Sequence, residues 1–598
     1  MVNQLATDLS HYTVANSPVL QTFDSLPVDL FHWGAAVLPI AVLLVLLIGL
    51  RWPADAAAAV AMFLAVAIAL TVFRSPLITL AVAVGKGVWS AIFVLYVVWA
   101  ALLLYLITDR AGALYTLRKG IERISSNDLF LVLAFGWVFV SFLQGITGFG
   151  TPIAIVAPLL LALGVRPVYA VAMPLIGHAW NNTFGTLAVA WYGTRTVVDL
   201  QAPIETALQT AMHFTIITIA GGFAVAWLYG RWKAIAHAWP MIVILGAIQS
   251  ITLVTTVVYS QFIAGLLAST IALVALYPIS RWDRFGTQHE PFERPAMDVS
   301  MTRDGHSAPI ADGGESVLDT ETGGGTARVR DEGDPEPVMS FFESLLPYIV
   351  LTAIALVSSI PSVSDFLGRF QVGFAFPAVE TAFVRHTAAD PYSPFSFFTH
   401  PGTIVLIGVL VGWVVYRDRG YYDAWQRRVA DSPQFEAKPS IRREAIANGV
   451  PASLAIILLV IISRVMLDTG QIRVLALGIA AALPGAVYLF GANSIGVLGA
   501  FITGSNTASN ILFAPLQAET AAALNLPEWT VLGAQMSGGG LGNAIAPANV
   551  VLGTGTAGIV GREGEVLRIT LKWTVLVSIV LGIVTMVLSR FVFLGGGA

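Results

Sequence analysis

The sequence contains no cysteine, and only 11% of its 598 residues are charged. Without cysteine there is no disulfide, no thiolate metal ligand and no cysteine nucleophile. Because a soluble domain carries about 25% charged residues, a chain this poor in charge, with 56% hydrophobic residues, is not an ordinary soluble protein. The net charge of −4 provides no basic surface for a nucleic acid. The composition instead predicts a protein embedded in the lipid bilayer.

Motifs of membrane-embedded catalysis are also missing. The sequence has no HExxH motif and no group of Asp residues within its apolar runs. An ion-translocating subunit of a respiratory complex would place Lys and Glu in the middle of several spans, where they are almost absent. We therefore expect no enzymatic activity, no metal and no other cofactor.

Many apolar runs are long enough to form helices that cross the bilayer, which takes about 20 residues each. Counting the interrupted runs, the chain has about 12 to 14 spans, which predicts an all-α polytopic membrane protein. The apolar runs of spanning length lie near 33–50, 54–73, 88–108, 129–145, 167–190, 207–229, 237–257, 260–280, 342–360, 402–416, 447–467, 474–490 and 567–594. The runs interrupted by Gly, Asn, Ser or Thr are 146–164, 491–523 and 527–559.

The chain divides into two membrane halves joined by a polar segment. Residues 1–29 are polar and lack the pattern of a cleaved signal peptide. The first half is 30–280 and the second is 341–598. Between them, residues 281–340 hold 13 Asp or Glu and eight Gly, a composition that cannot bury a core and predicts a disordered acidic linker.

Basic residues in the loops predict the orientation of the chain in the membrane. Residues 109–127 and 417–446 are rich in Arg and Lys, so both are expected on the cytoplasmic side. The acidic linker then also lies inside, and the aromatic-rich loop 361–400 lies outside. We expect a multi-pass protein of the cell membrane; the sequence does not determine an oligomeric state.

Two stretches, one in each half, follow the same order of features. The first reads FLQGITGFGTPIAIVAPLL from Phe142 and PVYAVAMPLIGHAWNNTFGTLAVAW from Pro167. The second reads FITGSNTASNILFAPLQ from Phe501 and PEWTVLGAQMSGGGLGNAIAPANVVLGTG from Pro527. In both, an apolar helix leads to Gly and hydroxyl residues, then a short helix with Pro, then a Pro-started segment broken in its middle. The order predicts two related halves, expected to be inverted, each with a broken helix or re-entrant hairpin.

Such breaks have a physical meaning in a membrane. Backbone groups without hydrogen bonds cost several kcal/mol each in hydrocarbon, so a break persists where protein or a wet cavity satisfies it. Paired breaks in corresponding halves point to a transporter's binding site. The alternative for each break is a kink or a close helix contact. A simple channel would not need two paired breaks.

At these residues the chain resembles the L-lactate permease family. The matching pieces are 142–160, LIGHAWNNTFGTLA (175–188), HPGTIVLIG (400–408), GSNTASNILFAPLQ (504–517) and GGGLGNAIAPANVVLGTGTAGIVGREGEVLR (538–568). The resemblance implies uptake of L-lactate, with glycolate or D-lactate as further substrates, by proton symport. A sodium-coupled carboxylate carrier of the same architecture is the alternative.

The Ser505-Asn506-Thr507 triplet is also similar to the hairpin tips of the broader ion-transporter superfamily, in which paired re-entrant hairpins carry a carboxylate. One departure concerns His178 to Thr183, which is more polar than the Ala- and Pro-rich version of the family. This segment lies in the expected site and therefore bears on which substrate is bound.

A small monocarboxylate needs N–H or hydroxyl donors for its carboxylate and a polar partner for its 2-hydroxyl. Glycines allow the backbone to approach such a ligand closely. The substrate-binding candidates are Gly145, Thr147, Gly148, Gly150, Thr151, Asn181, Asn182, Thr183, Ser505, Asn506, Thr507, Ser509, Asn510 and Asn543.

Two ionisable residues are candidates for proton coupling. His178 lies at the first break and has a reference pKa near 6.5; its alternative role is a neutral histidine hydrogen-bonded between helices. Glu519 follows the Ser505–Asn510 segment and could instead be an interfacial carboxylate. Arg464, with Asp468 four residues later, is expected to be a snorkelling or paired arginine at a helix end.

Overall fold

The structure is a computed structural model that describes residues 20–22, 26–50, 52–148, 150–285, 293–297, 336–430 and 439–590. The acidic-linker prediction falls mainly on residues 286–292 and 298–335, which lie outside the described residues. Residues 1–19 of the polar N-terminal segment lie outside them as well. The described chain is predominantly helical, which confirms the predicted class.

The described part of the first half contains ten α-helices. Three of them, α6, α7 and α9, have proline in their first turn, in keeping with the preference of Pro for the start of a helix. The helices are α1 Leu30–Leu44, α2 Ala54–Thr71, α3 Leu77–Arg110, α4 Ala113–Ile124, α5 Asp128–Ile146, α6 Thr151–Ala162, α7 Pro167–Gly177, α8 Gly185–Val197, α9 Pro203–Tyr259 and α10 Gln261–Ser280.

The second half contains the remaining helices of the described chain and most of its strands. The helices are α11 Phe341–Ser358, α12 Pro361–Leu367, α13 Pro401–Asp418, α14 Tyr421–Ala430, α15 Ile441–Asp468, α16 Gln471–Ala482, α17 Gly485–Thr503, α18 Asn506–Ala523, α19 Glu528–Gly542, α20 Pro547–Thr556 and α21 Glu563–Leu588. The strands are β1 Leu20–Thr22, β2 Gln371–Phe376, β3 Val379–Glu380, β4 Val384–His386 and β5 Ala389–Ser396.

Within the described residues, 11 helices are long and apolar enough to cross a membrane. One of them, α9, has 57 residues, and about 1.5 Å per residue makes it far longer than one crossing of about 30 Å. Its backbone leaves helical geometry at Gly230 and Arg231. The helix therefore forms two crossings, in agreement with the separate runs predicted at 207–229 and 237–257.

The run predicted at 474–490 is not one helix. Helix α16 ends at Ala482, Leu483 and Pro484 are extended, and α17 starts at Gly485. Proline disfavours helical geometry in the residue before it, so Pro484 ends one helix and starts the next. Because the run is apolar on both sides of Pro484, its composition did not indicate this break.

The loop 361–400 contributes four strands to two small sheets, which composition did not predict. In one, β4 pairs with both β1 and β3; in the other, β2 pairs antiparallel with β5. The sheets lie on the start of α3, because Thr79 Oγ1 donates to Glu380 O at 3.0 Å and Trp89 Nε1 donates to Tyr392 O at 3.2 Å. We call residues 361–400 the cap.

The segments predicted to be cytoplasmic meet at the opposite end of the bundle. Arg110, in the segment 109–127, pairs with Glu444 of the loop 417–446. Arg294 pairs with Asp128 at 2.6 Å, which places a described piece of the linker at the same end. These contacts agree with the expectation that the three segments share one side of the membrane.

Helix α5 forms the centre of the bundle, since every one of its residues is buried. It crosses α7 so closely that a Cβ placed on Gly177 would lie 1.9 Å from Gly136 O. Small residues allow such close packing of membrane helices. The close crossing brings the end of α7, where its helix breaks, against the core helix.

Candidate functional site

The candidate site includes two short turns, each joining the end of one helix to the start of the next; we call these turns the tips. Helix α5 ends at Ile146 and α6 starts at Thr151, with Gly150 in the left-handed region at φ 80°. Helix α17 ends at Thr503, Gly504 is left-handed at φ 72°, and Ser505 caps α18 by accepting from Ala508 N. Each tip therefore points the start of a helix, with N–H groups that lack intrahelical acceptors, into the bundle.

The first broken helix is the predicted segment from Pro167. Helix α7 ends at Gly177, a short 3₁₀ turn covers Ala179–Asn181, and α8 follows from Gly185. The φ angles of Thr186, Leu187 and Ala188 are 50°, 54° and 59°. Left-handed geometry costs roughly 1–2 kcal/mol per non-glycine residue. Such backbone persists where the surroundings hold it, and it concentrates at functional sites.

The second broken helix has the same order of elements. Helix α19 ends at Gly542, a 3₁₀ turn covers Asn543–Ile545, and α20 starts at Pro547. Both segments predicted to be interrupted are therefore interrupted within two residues of a Gly and an Asn. Whether the two halves are related by inversion stays a prediction.

Asparagine side chains join the two breaks. Asn182 Nδ2 donates to Gly540 O at 3.0 Å, and Asn543 Nδ2 donates to Asn182 Oδ1 at 2.8 Å. Asn549 Nδ2 in turn donates to Asn543 Oδ1 at 2.9 Å. We call this meeting of the breaks, together with the start of α18, the asparagine junction.

The start of α18 is hydrogen-bonded to the first broken helix. Asn506 Nδ2 donates to Thr183 Oγ1 at 3.0 Å, and Thr183 Oγ1 donates to Met536 O at 3.0 Å. A Cβ placed on Gly539 would lie 2.1 Å from Asn506 Oδ1. Only glycine at 539 leaves room for this asparagine.

The asparagine junction retains unused hydrogen-bonding groups. Asn506 is 4% exposed and Asn510 is fully buried. Among the residues that the structure describes, Asn506 Oδ1 and Asn510 Nδ2 have no hydrogen-bond partner. Since buried polar atoms are nearly always paired, these two atoms, one helix turn apart, leave one acceptor and one donor unused.

The other tip touches the junction from the side of α8 and α20. Gln144 Nε2 donates to Thr186 Oγ1 at 3.3 Å, and a Cβ on Gly148 would lie 2.6 Å from the same oxygen. A Cβ on Gly150 would meet Leu552 and lie 3.3 Å from Asn549 Oδ1. Thr147 and Thr151 flank these glycines, so the first tip reaches the second break.

Four of the predicted substrate-binding candidates make contacts other than those that join the two broken helices. Gly145 packs against the backbone of Leu266 in α10. Asn181 Nδ2 donates to Ser141 O at 2.8 Å, deeper in the bundle. Ser509 Oγ donates to Gly496 O at 3.0 Å, which ties α18 to α17. Thr507 lies beside Gly193 of α8.

Glutamines extend the polar network, and the sequence analysis missed them. Gln535 Nε2 donates to Ser509 Oγ at 3.2 Å, and Gln517 Nε2 donates to Gln535 Oε1 at 3.0 Å. All three side chains are fully buried. A glutamine inside an apolar run was the available signal, as asparagine was for the junction.

The two proton-coupling candidates lie in different places. His178 is 1% exposed and its Nδ1 is 2.6 Å from Pro174 O. Because a carbonyl only accepts, Nδ1 carries the hydrogen and Nε2 is the nitrogen that can take a proton. Glu519 lies 13 residues beyond Asn506 in α18, about 20 Å along the helix. Only His178 is adjacent to the asparagine junction.

A buried charge cluster was also missed. Lys86 Nζ in α3 lies 3.8 Å from Asp468 Oδ2 in α15, with side chains 8% and 4% exposed. Arg464 does not pair with Asp468 in the way expected of a helix-end pair; its Nη2 donates to Thr196 O at 2.6 Å. Lys86 and Arg464 each lie 5.5 Å from the ring centre of Tyr392 in the cap. The cluster connects α3, α15, the cap and the end of α8.

Spanning helices around two broken helices that meet in an uncharged polar junction define a multi-pass membrane transport protein. The chain belongs to the L-lactate permease family, whose model matches residues 34–592. This confirms the resemblance inferred from the sequence.

Curated relatives match over nearly the whole chain. The glycolate permease GlcA of Escherichia coli K12 is 26% identical over 583 residues, which cover 94% of this chain and 96% of that one. The L-lactate permease of the same strain is 25% identical, covering 92% and 94%. The L-lactate permease of Bacillus subtilis 168 is 23% identical, covering 87% and 89%.

One solved structure aligns with most of the chain. The YdaH transporter of Alcanivorax borkumensis covers 82% of this chain and 84% of that one, at 15% identity and a TM-score of 0.38.

Proposed function

We propose that this protein imports L-lactate, with glycolate as a related substrate, across the cell membrane by proton symport. The relatives are named as lactate and glycolate permeases. The observation that carries the proposal is the pair of unpartnered atoms Asn506 Oδ1 and Asn510 Nδ2 in the asparagine junction. A 2-hydroxy acid presents a hydroxyl donor and a carboxylate acceptor that match them.

The start of α18 suits the carboxylate. Helix N-termini carry about half a positive charge and free N–H groups. Ser505 uses one of these groups by accepting from Ala508 N, at 3.3 Å. The preceding N–H groups of Asn506 and Thr507, with Asn510 Nδ2, form a donor set for an anion without a buried arginine.

In the part of the chain that the structure describes, the side chains hydrogen-bonded in the asparagine junction are uncharged, which favours carrying a positive charge together with the anion. An unpaired carboxylate is expensive to hold away from water, and intramembrane charge is expensive in general. A proton carried with the anion makes the loaded site neutral. In this proposal His178 Nε2 accepts the proton, because Nδ1 is committed to Pro174 O.

Transport by purified protein in liposomes tests the proposal. We expect labelled L-lactate uptake to be driven by an imposed proton gradient and abolished by its collapse. Uptake driven by a sodium gradient at equal pH would replace proton coupling with sodium coupling. Uptake that responds to neither gradient would overturn symport altogether.

Histidine variants test the coupling residue. We expect His178→Ala to exchange lactate across the membrane but to lose accumulation driven by the proton gradient. His213→Ala is a matched control, since His213 is also buried in a spanning helix and lies 3.2 Å from Thr585 Oγ1. Accumulation that survives in His178→Ala would remove His178 from the coupling mechanism.

A further inference from the structure

A cavity of about 560 Å³ lies apart from the asparagine junction, on the side of the cap. Its walls come from α3, the end of α8, the α8–α9 connection and residues 393–401. The wall includes His400, the first residue of the His-Pro-Gly sequence that precedes α13. This sequence takes no part in the site described above.

His400 is held rigidly with one nitrogen unused. It is 2% exposed, and its ring lies 4.1 Å from the ring of Phe93 and 4.4 Å from that of Phe395, between centroids. Nδ1 accepts a hydrogen bond from Gly402 N at 3.0 Å, so in the neutral ring the hydrogen resides on Nε2. Nε2 has no hydrogen-bond partner among the described residues. His400 therefore carries a fixed, unpaired N–H donor and belongs to the residues that line the cavity.

Burial keeps this donor neutral. It lowers the pKa of His400 to about 3, so the ring stays uncharged at physiological pH. The tautomer set by Gly402 N is then the only form present, and the Nε2 hydrogen is available at any pH at which the protein works.

The cavity wall offers a cation to an anionic ligand. Arg195 and Asp199 line the cavity, and both are exposed. Behind the wall, Lys86 lies 3.8 Å from Asp468 and Arg464 donates to Thr196 O, while Glu528 accepts from Gln201 N of the α8–α9 connection. Arg195 is therefore the cation of the wall that can pair directly with a carboxylate.

Helix ends reinforce this preference. Helix α9 starts at Pro203 and α13 at Pro401, and both residues line the cavity with the positive ends of their helices. The negative end of α8 also faces it. The last turn of α8 is partly neutralised, because Thr196 O accepts from Arg464 and Thr194 O accepts from Val198 N.

We propose that this cavity is an entry site for the monocarboxylate on the cap side of the membrane, in which Arg195 pairs with the carboxylate and His400 Nε2–H donates to it. The inference rests on the proposed function and on the external location of the cap. Helix α8 starts at Gly185, two residues after Thr183 of the asparagine junction, and reaches the cavity wall at Tyr192, about 10 Å further along the helix. One helix therefore connects the entry site with the junction.

Kinetics measured separately from the two sides of the membrane test the entry site. We expect Arg195→Gln to raise the KM for external L-lactate in whole cells about tenfold, as for loss of one charged partner, with an unchanged maximal rate. In inverted membrane vesicles the KM from the cytoplasmic face should stay at the wild-type value. Arg195→Lys should restore most of the external affinity, and high salt should reduce the difference between Arg195→Gln and wild type.

A second variant and a control complete the test. His400→Asn keeps an acceptor for Gly402 N but loses the ring donor, and it should raise the external KM as well. Arg369→Gln removes an exposed arginine of the cap that does not line the cavity, and its external KM should match wild type.

Three results would overturn the entry site: an unchanged external KM in both cavity variants, an equal rise on both faces, or an equal rise in Arg369→Gln. These results leave the proposed function intact, because each assumes that the wild-type protein takes up lactate. A wild-type protein that takes up no lactate would overturn both the proposed function and the entry site.

Discussion

Asn506 Nδ2 donates to Thr183 Oγ1 at 3.0 Å across a separation of 323 residues in the sequence. Thr183 Oγ1 also donates to Met536 O. One hydroxyl thus joins the start of α18, the break between α7 and α8, and helix α19. These three parts meet in the asparagine junction. A substitution of Thr183 therefore changes the hydrogen bonds of the junction without changing its charge.

Thr183→Val removes that hydroxyl while keeping the volume of the side chain. Asn506 Nδ2 is then buried without its partner, at a cost of about 1–3 kcal/mol. We expect a lower midpoint of thermal unfolding in detergent and a raised KM for lactate uptake. Thr183→Ser keeps the hydroxyl and should stay close to wild type; equal behaviour of the two variants would contradict the assigned contact.

Asn510→Ala removes the unpartnered donor Nδ2 together with Oδ1, which accepts one long hydrogen bond of 3.5 Å from Gln535 Nε2. We expect a rise in the KM for lactate of about tenfold, from the loss of one hydrogen bond to a charged group, with the proton-to-lactate ratio unchanged. Asn493→Ala is the control, since Asn493 is buried but donates to Ser578 O at 2.8 Å, outside the junction. A KM that rises in the control and not in Asn510→Ala would place the substrate elsewhere.

Gly539→Ala tests the close approach of α19 to α18. The added methyl would lie 2.1 Å from Asn506 Oδ1, so Asn506 must leave its position beside Thr183. We expect loss of transport with a folded protein, measured as uptake and thermal unfolding in parallel. Gly555→Ala is a matched helical control, because a Cβ there meets nothing within 4 Å, and it should transport normally.

The Lys86–Asp468 pair predicts a non-additive effect on stability. Either single variant, Lys86→Met or Asp468→Asn, leaves one charge buried without its partner, which costs about 3–5 kcal/mol. The double variant removes both charges and should be more stable than the sum of the single effects requires. Thermal unfolding of the four proteins in detergent measures this; additive losses would show that the two charges do not interact.

The breaks could be predicted from the sequence because their cause is local. Gly, Pro and Asn interrupt apolar runs at 147–151, 178–184, 504–506 and 543–547, and each interruption is present in the structure. Pro484 followed the same rule and was overlooked, since no polar residue marked it. The asparagines could be identified as site candidates for a similar reason, because an asparagine side chain without hydrogen-bond partners is costly in hydrocarbon.

The partners themselves could not be predicted. Asn182 and Asn543 are 361 residues apart and meet only because the two broken helices cross. Gln535 was not distinguished from other polar residues in apolar runs, and its contact with Ser509 depends on how α19 packs against α18. Arg464 and Asp468 lie one turn apart on α15 and have different partners because both α8 and α3 pack beside that face.

The sequence by itself determined that the chain spans a membrane many times, where its helices break, and to which family it belongs. These properties follow from the hydrophobicity of runs, from the backbone limits of Gly and Pro, and from long matching motifs. Only the tertiary structure decided which polar atoms pair and which stay free, as Asn506 Oδ1 and Asn510 Nδ2 do. The physical reason is that hydrogen bonds and buried ion pairs depend on distances of a few ångströms between helices that are remote in sequence.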